Sequence, residues 1–230
     1  LNTDYIDFYL LHNVNDSCID TYTDEETGLI RYLSEQREKG RIKYLGFSTH
    51  ATVECLQKFF DYLDEHEYKM DFVQIQLNYL DWTLQNGRKK VEMFNERDLP
   101  IMVMEPCRGG KLAALSQKNR DRLSVFETGR SDASWSFRWL MDVPGVTVVL
   151  SGMSSMEQLY DNINTFNEYK PLSENEKKTL SEIAAELADA VPCTGCRYCT
   201  DGCPMNIPIP KYFSLYNADK QEIKEKNSYG

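Results

Sequence analysis

Four of the chain's seven cysteines, Cys193, Cys196, Cys199 and Cys203, fall within the stretch CTGCRYCTDGCP. Their spacing is C-x2-C-x2-C-x3-C-P. Two-residue gaps let one tight turn present three thiolates to a single iron–sulfur cube, and this is the run used by bacterial [4Fe–4S] proteins. Gly195 and Gly202 lower the steric cost of the turns, and Pro204 directs the exit. The fourth cysteine of such a run ligates a second cluster in two-cluster proteins. Cys203 is therefore expected either to close one cube or to reach for another. A zinc site is the alternative, although zinc more often uses separated C-x2-C pairs or recruits His. None of the three histidines, His12, His50 and His66, is near the run in sequence.

A second set of reactive side chains recurs where short apolar runs end. His12 follows YIDFYLL, and Ser48, Thr49 and His50 follow KYLGF. Gln74, Gln76 and Asn78 accompany DFVQIQL. Glu105-Pro106-Cys107-Arg108-Gly109-Gly110-Lys111 follows IMVM, and Ser151-Gly152-Met153-Ser154-Ser155 follows VTVVL. Taken singly, each has a plain structural reading: a hydrogen-bonded His, a glycine turn, a helix cap. Together they put polar groups at one rim of a parallel sheet, where chemistry sits in βα proteins. Backbone N–H groups of SGMSS at a helix start also suit a phosphate.

The elements that must position these residues alternate. Strands are predicted at Tyr5–Leu11, Lys43–Phe47, Asp71–Leu77, Ile101–Met104 and Val146–Leu150. Helices are predicted over Glu26–Lys39, Val53–Leu63, the segment around Val91 and Phe94, Ala133–Met141 and Ser155–Phe166, the last opened by a Ser155–Gln158 capping box. Strand–helix alternation implies a parallel sheet with right-handed crossovers. Periodicity leaves an open doubly wound sheet and part of a (β/α)8 barrel both in play. No G-x-G-x-x-G follows a strand, which weighs against a dinucleotide-binding doubly wound sheet.

A second unit is expected from about residue 171, dividing the chain into 1–170 and 171–230. Its helix opens with the Ser173–Glu176 capping box and carries Leu180, Ile183, Ala184, Leu187 and Ala188 on one face; the cysteine run and a short aromatic helix, Tyr212–Tyr216, follow. With 36 acidic against 26 basic residues and a net charge of −10, the 230-residue chain lacks the cationic surface that nucleic-acid binding needs. No run approaches the roughly 20 apolar residues that span a bilayer. Clustered thiols and no secretory signal give the expectation of a cytoplasmic protein. The chain does not open with Met and starts inside an apolar run, so a fragment is expected.

YIDFYLLH, GRIKYLGFSTH, DFVQIQLNYLD, MEPCRGGKL and VTVVLSGMSSMEQLYDN together resemble the aldo/keto reductases, in the branch carrying a C-terminal ferredoxin-type domain. The resemblance covers almost the whole chain. It implies a partial (β/α)8 TIM barrel of about five βα units, beginning at the fourth barrel strand, followed by a small α-helical [4Fe–4S] domain. It implies a nicotinamide cofactor, NADP(H) or NAD(H), and a small-molecule carbonyl substrate. His12 would orient the carbonyl, while the family's Tyr, Lys and Asp would lie upstream, leaving this piece inactive alone. Ser48 and Gln74 would hold the carboxamide. Glu105, Pro106, Arg108, Gly109, Gly110 and Lys111 would line the pyrophosphate, with Met104 where an aromatic residue is common. Gly152, Ser154, Gln158 and Asn162 would face the adenosine end, with Ser154 where many relatives carry Arg or Lys. Nicotinamide passes two electrons at once and a cube one, so the cluster would serve structure or a redox partner protein unless a converter intervenes. The competing readings are a non-catalytic nicotinamide-binding electron-transfer or regulatory module, and a reductase with a zinc-stabilised tail.

Overall fold

The computed structural model describes residues 3–188, 191, 193, 197–213, 215 and 216. In chain order the elements are β1 (Ile6–Val14), α1 (Ile19–Tyr22), α2 (Leu29–Glu38), β2 (Ile42–Thr49), α3 (Val53–Glu65), β3 (Phe72–Gln76), α4 (Asp81–Leu84) and α5 (Gly87–Asn95). There follow β4 (Ile101–Met104), a 3-10 turn (Lys111–Ala113), α6 (Gln117–Ser124), α7 (Asp132–Met141), β5 (Val146–Val149), α8 (Met156–Asn167), α9 (Glu174–Ala188) and α10 (Tyr198–Asp201). The five strands form one sheet in the order β1-β2-β3-β4-β5, and every pairing is parallel. All strand C-termini therefore reach the same rim, as the sequence predicts.

Helices α2, α3 and α5 pack on one face of the sheet. Phe47 is the hub: its ring meets Phe59, Phe60 and Phe94 edge-on at centroid distances of 4.9, 6.1 and 6.5 Å. Leu56, Phe59, Phe60 and Leu63 recur at helical spacing in α3, so burying one stripe of that helix closes this core. Gly46 is required where β2 meets β3, because a Cβ there would lie 2.6 Å from the Phe72 carbonyl oxygen and 2.7 Å from its ring. The opposite face carries Phe8 stacked on Tyr44 at 5.0 Å.

Helix boundaries differ from expectation for local reasons. The second helix starts at Leu29 and not Glu26, because Asp24 caps a separate turn by accepting from the Glu26 and Thr27 N–H groups, and Gly28 then turns at φ +59°. In α8, Ser155 accepts from the Gln158 N–H as predicted, but the Gln158 side chain returns to the Ser154 N–H at 2.7 Å. The segment between β4 and α7 holds α6, which periodicity passed over: QKNRDRLS buries only Asn119 and Leu123.

Helix α9 closes a second core. Leu172, Leu180, Ile183 and Ala184 pack with Tyr79, Leu80, Leu112, Leu115, Leu123 and Trp135. The Ser173–Glu176 box forms in both directions, and the carboxylate of Glu176 also meets the buried Arg138 of α7 at 3.1 Å. Arg138 donates through Nε to the Lys170 carbonyl at 3.0 Å. Residues 209–213 are helical, in the region expected for the short aromatic helix.

Candidate functional site

The loops after β4 and β5 enclose a cavity of about 730 Å³. One wall is Glu105, Pro106, Cys107, Arg108, Gly109 and Gly110. Leu150, Ser151, Gly152 and Met153 form the second. Glu157, Gln158, Asp161 and Asn162 of α8 form the third, and α7 contributes Ala133, Phe137 and its N-cap Ser131. The volume suits a cofactor or small ligand. Eight of the residues predicted to hold a cofactor thus meet here: Glu105, Pro106, Arg108, Gly109, Gly110, Gly152, Gln158 and Asn162.

The first loop is held in an unusual conformation. Glu105 and Arg108 have φ of +57° and +50°, and Gly109 and Gly110 have +62° and +88°. Left-handed backbone in non-glycine residues costs free energy and needs support from its surroundings. A buried polar network at the end of β3 supplies it. Asp81 Oδ2 accepts from Gln76 Nε2 and Asn78 Nδ2, both at 2.8 Å. The Asn78 amide also donates to the Glu105 carbonyl at 3.0 Å, and its oxygen caps the N–H groups of Leu80 and Asp81. Asp81 Oδ1 faces Arg108 Nε at 3.3 Å, with the two side chains 0% and 1% exposed. On the far side of the loop, Ser136 of α7 donates to the Pro106 carbonyl. Asp81 and Ser136 are parts of this machinery that sequence reasoning missed. The spacing of Asn78 and Asp81, an Asx cap directly after a strand, is the signal that marks the first.

His12, Ser48 and Gln74 sit together at the same rim, outside the cavity lining. Ser48 and Gln74 are register partners across β2 and β3, and β1 pairs beside β2. The Ser48 hydroxyl accepts from the Asn13 N–H at 2.8 Å, which ties β1 just past His12 to β2. Gln74 Nε2 lies 3.6 Å from the Met104 sulfur, so it contacts the residue that opens the cavity. The His12 side chain is exposed, and its carbonyl accepts from the Tyr22 hydroxyl at 2.6 Å. His50 adjoins it. Partial burial, then the charges of Lys90 and His12, lower its imidazole pKa from the ordinary value.

Two further predicted residues stand apart from the lining. Lys111 begins the 3-10 turn, and burial together with Arg108 lowers its ammonium pKa. Ser154 is exposed and engaged in the α8 cap. Cys107 lines the cavity with its thiol pushed up to about 11 by burial and then by Glu105 and Asp161, which keeps it protonated. Of the cysteine run, Cys193, Cys199 and Cys203 are free thiols, and Cys196 lies outside the described residues. Among the described residues no three metal-ligating side chains converge, and no helix is long and apolar enough to cross a membrane.

Successive parallel βα units with a glycine-lined cleft at the strand C-termini define part of a (β/α)8-type barrel with its site at the usual rim. The chain belongs to the aldo/keto reductase family, whose model matches residues 1–185. A curated relative, the uncharacterized oxidoreductase YqkF of Bacillus subtilis (strain 168), is 27% identical over 203 residues, covering 78% of this chain and 60% of that protein. Solved structures of the same fold include a thermostable aldo-keto reductase in complex with the inhibitor epalrestat (23% identity, TM-score 0.60, 79% of this chain and 61% of that one). Another is the holo form of an aldo-keto reductase from Bacillus halodurans (20% identity, TM-score 0.61, coverages 79% and 59%). A third is an aldo/keto reductase from Klebsiella pneumoniae in complex with NADP and acetate (20% identity, TM-score 0.61, coverages 79% and 60%). The chain spans about 60% of the length of the relatives it matches.

Proposed function

We propose that this chain contributes the nicotinamide-dinucleotide site of an oxidoreductase acting on small carbonyl compounds, joined to a C-terminal [4Fe–4S] site. The observation that carries the first half is the cradle. Gly110 and Gly152 both line the cavity, and no atom lies within 4 Å of where a Cβ would stand on either. Bare backbone in open space at these two lining positions lets a dinucleotide's phosphates approach closely.

In this reading the 105–111 loop presents N–H groups of its left-handed turns to the pyrophosphate, as such concave backbone does for anions. The start of α8 faces the same space, where its dipole favours negative charge. Asn162 and Gln158 face the adenosine end. Ser48 and Gln74, paired across neighbouring strands, orient the carboxamide, with Met104 beneath the ring. A bound nicotinamide would supply the hydride. His12 orients the substrate's carbonyl oxygen by donating a hydrogen bond to it. Cys193, Cys196 and Cys199 would supply thiolates for a cube, with Cys203 closing it or reaching for a second, and a redox partner protein is the natural acceptor for one-electron traffic there.

Titrating the full chain with NADH and NADPH while following protein fluorescence tests the dinucleotide site. Saturable binding is expected, and Gly152→Phe should abolish it without lowering Tm. Failure of both dinucleotides to bind overturns the reading. Anaerobic reconstitution should yield visible absorbance with acid-labile sulfide; zinc without sulfide would favour the zinc-stabilised tail.

A further inference from the structure

Cys18 and Cys55 are free thiols, the first half-buried and the second buried, and neither the cavity nor the tail uses them. Two contacts bracket them. Asp16 accepts from the Thr52 N–H at 2.9 Å and from its hydroxyl at 2.5 Å. Asp20 accepts from Lys58 Nζ at 2.5 Å. Cys18 stands midway between Asp16 and Asp20 in the chain, and Cys55 midway between Thr52 and Lys58. Thr52 caps α3, and Cys55 and Lys58 follow at three-residue spacing, so all three belong to one face of that helix. The segment 16–20 therefore runs along this face, fastened at each end, with one thiol from either side between the fastenings. The two sulfurs are also within electrostatic reach: Cys55 is pushed up to about 11 by burial, then by Asp16 and Cys18.

We propose that Cys18 and Cys55 form a reversible disulfide on exposure to hydrogen peroxide, which ties α1 to α3 and alters the end of β1 beside His12. Peroxide takes the more accessible Cys18 thiol to the sulfenic acid and is itself reduced to water. The Cys55 sulfur then attacks that sulfur. The S–O bond breaks, the Cys55 proton joins the departing hydroxide, and a second water leaves. The two sulfurs lose two electrons in all, and the peroxide and its transferred oxygen gain them. Because Cys55 is held protonated, the second step is slow. The link to β1 is direct. Cys18 Sγ donates to the Asn13 carbonyl at 3.1 Å, and Asn13 adjoins His12. The bridge removes that donor and leaves the carbonyl its bond from the Asn15 amide, also 3.1 Å. The Asn13 N–H in turn holds Ser48 of β2.

The test uses the reduced full chain, freed of reductant, treated with excess hydrogen peroxide, then alkylated and digested without reductant. Mass spectrometry should find a peptide linking Cys18 to Cys55, lighter by two hydrogens than its two parts, and dithiothreitol should undo it. Recovery of both thiols free after the tail thiols have oxidised overturns the proposal, as does pairing of either with another cysteine. Closing so long a loop should raise Tm by about 5–10 °C. Cys18→Ser keeps a donor for the Asn13 carbonyl, so it should hold the reduced Tm and lose the rise. A rise that survives Cys18→Ser counts against the bridge. Proton NMR reads the end of β1, with the His12 ring assigned through His12→Gln. Its resonance should move on oxidation and return under dithiothreitol; a resonance that stays in place overturns the effect on β1.

Discussion

Two parts of the molecule use the same device for different ends. At the rim, Arg108 is buried against Asp81; at the flank, Arg138 is buried against Glu176. The flank pair is aligned through Nη2, while its Nη1, like Arg108 Nε, is buried and makes no hydrogen bond among the described residues. Arg138 makes hydrogen bonds to Glu176 and to the Lys170 carbonyl, and Glu176 is at the same time one half of a capping box. The rim pair is less regular: its closest approach, Nε to Oδ1, makes no aligned hydrogen bond between those atoms, and the arginine sits in left-handed backbone. The pair with the direct hydrogen bond fastens one element to another. A buried ion beside strained backbone fixes the shape of a loop, and that loop is the wall of the cavity. Buried pairs seldom add net stability over an apolar replacement, so geometry is the better account of why charges stand at both places.

The largest effect should come from breaking the rim. Asp81→Asn leaves Arg108 buried against a neutral group and disturbs the Gln76 and Asn78 bonds. Urea unfolding should show a loss of about 3–5 kcal/mol, and dinucleotide affinity should fall with it as the 105–111 loop loses its support. Stability loss with unchanged affinity would sink the idea that this pair shapes the cavity.

Glu176→Gln comes next, with roughly 2–3 kcal/mol lost, because the Lys170 carbonyl still satisfies Arg138 Nε and Gln can keep part of the cap. Here pH gives a second readout. Burial pushes the Glu176 carboxyl up, but its bonds with Ser173 and the charge of Arg138 outweigh this, and the net value lies below 4.5. A carboxylate depressed in the fold contributes stability that is complete above the unfolded value and is lost as pH falls through the folded one. The parent should therefore lose stability on acidification below about pH 4.5 more steeply than Glu176→Gln. Dinucleotide affinity at neutral pH should not change, which separates flank from rim.

The smallest effect marks the limit of the comparison. Arg122 of α6 pairs with Glu182 at 2.7 Å and Glu186 at 2.8 Å on α9, with both acids substantially exposed. Arg122→Ala should cost no more than about 1 kcal/mol, measured in the same urea experiment. A loss as large as that of Glu176→Gln would mean that the surface bonds, and not the buried one, hold α9.

Much of the rim was legible in the sequence because its signals are local. IMVM followed by EPCRGGK reads as a strand running into a glycine turn, and the turn lines the cavity. SGMSSMEQ reads as a helix start, and it forms one. What was not legible depends on partners far apart in the chain. Nothing in LNYLD says that Asp81 will meet an arginine 27 positions later, since that contact exists only once β3 and β4 lie side by side. Helix α6 escaped because its eight residues are almost uniformly polar, so no apolar stripe announces it. The cysteine run is the converse case: its spacing is the strongest single motif in the chain, while Cys196 lies outside the described residues.

The Arg138–Glu176 pair also sets an order on biosynthesis. The two residues stand 38 positions apart, so at ~5–20 residues per second the ribosome adds Glu176 about 2–8 s after Arg138. During that interval β5 is added beside β4 and completes the sheet order, which follows the chain. The guanidinium of α7 then awaits Glu176, with the already synthesised Glu127 at 3.8 Å beside it. Glu176, and with it the capping box that opens α9, is thus synthesised before the cysteines of the tail.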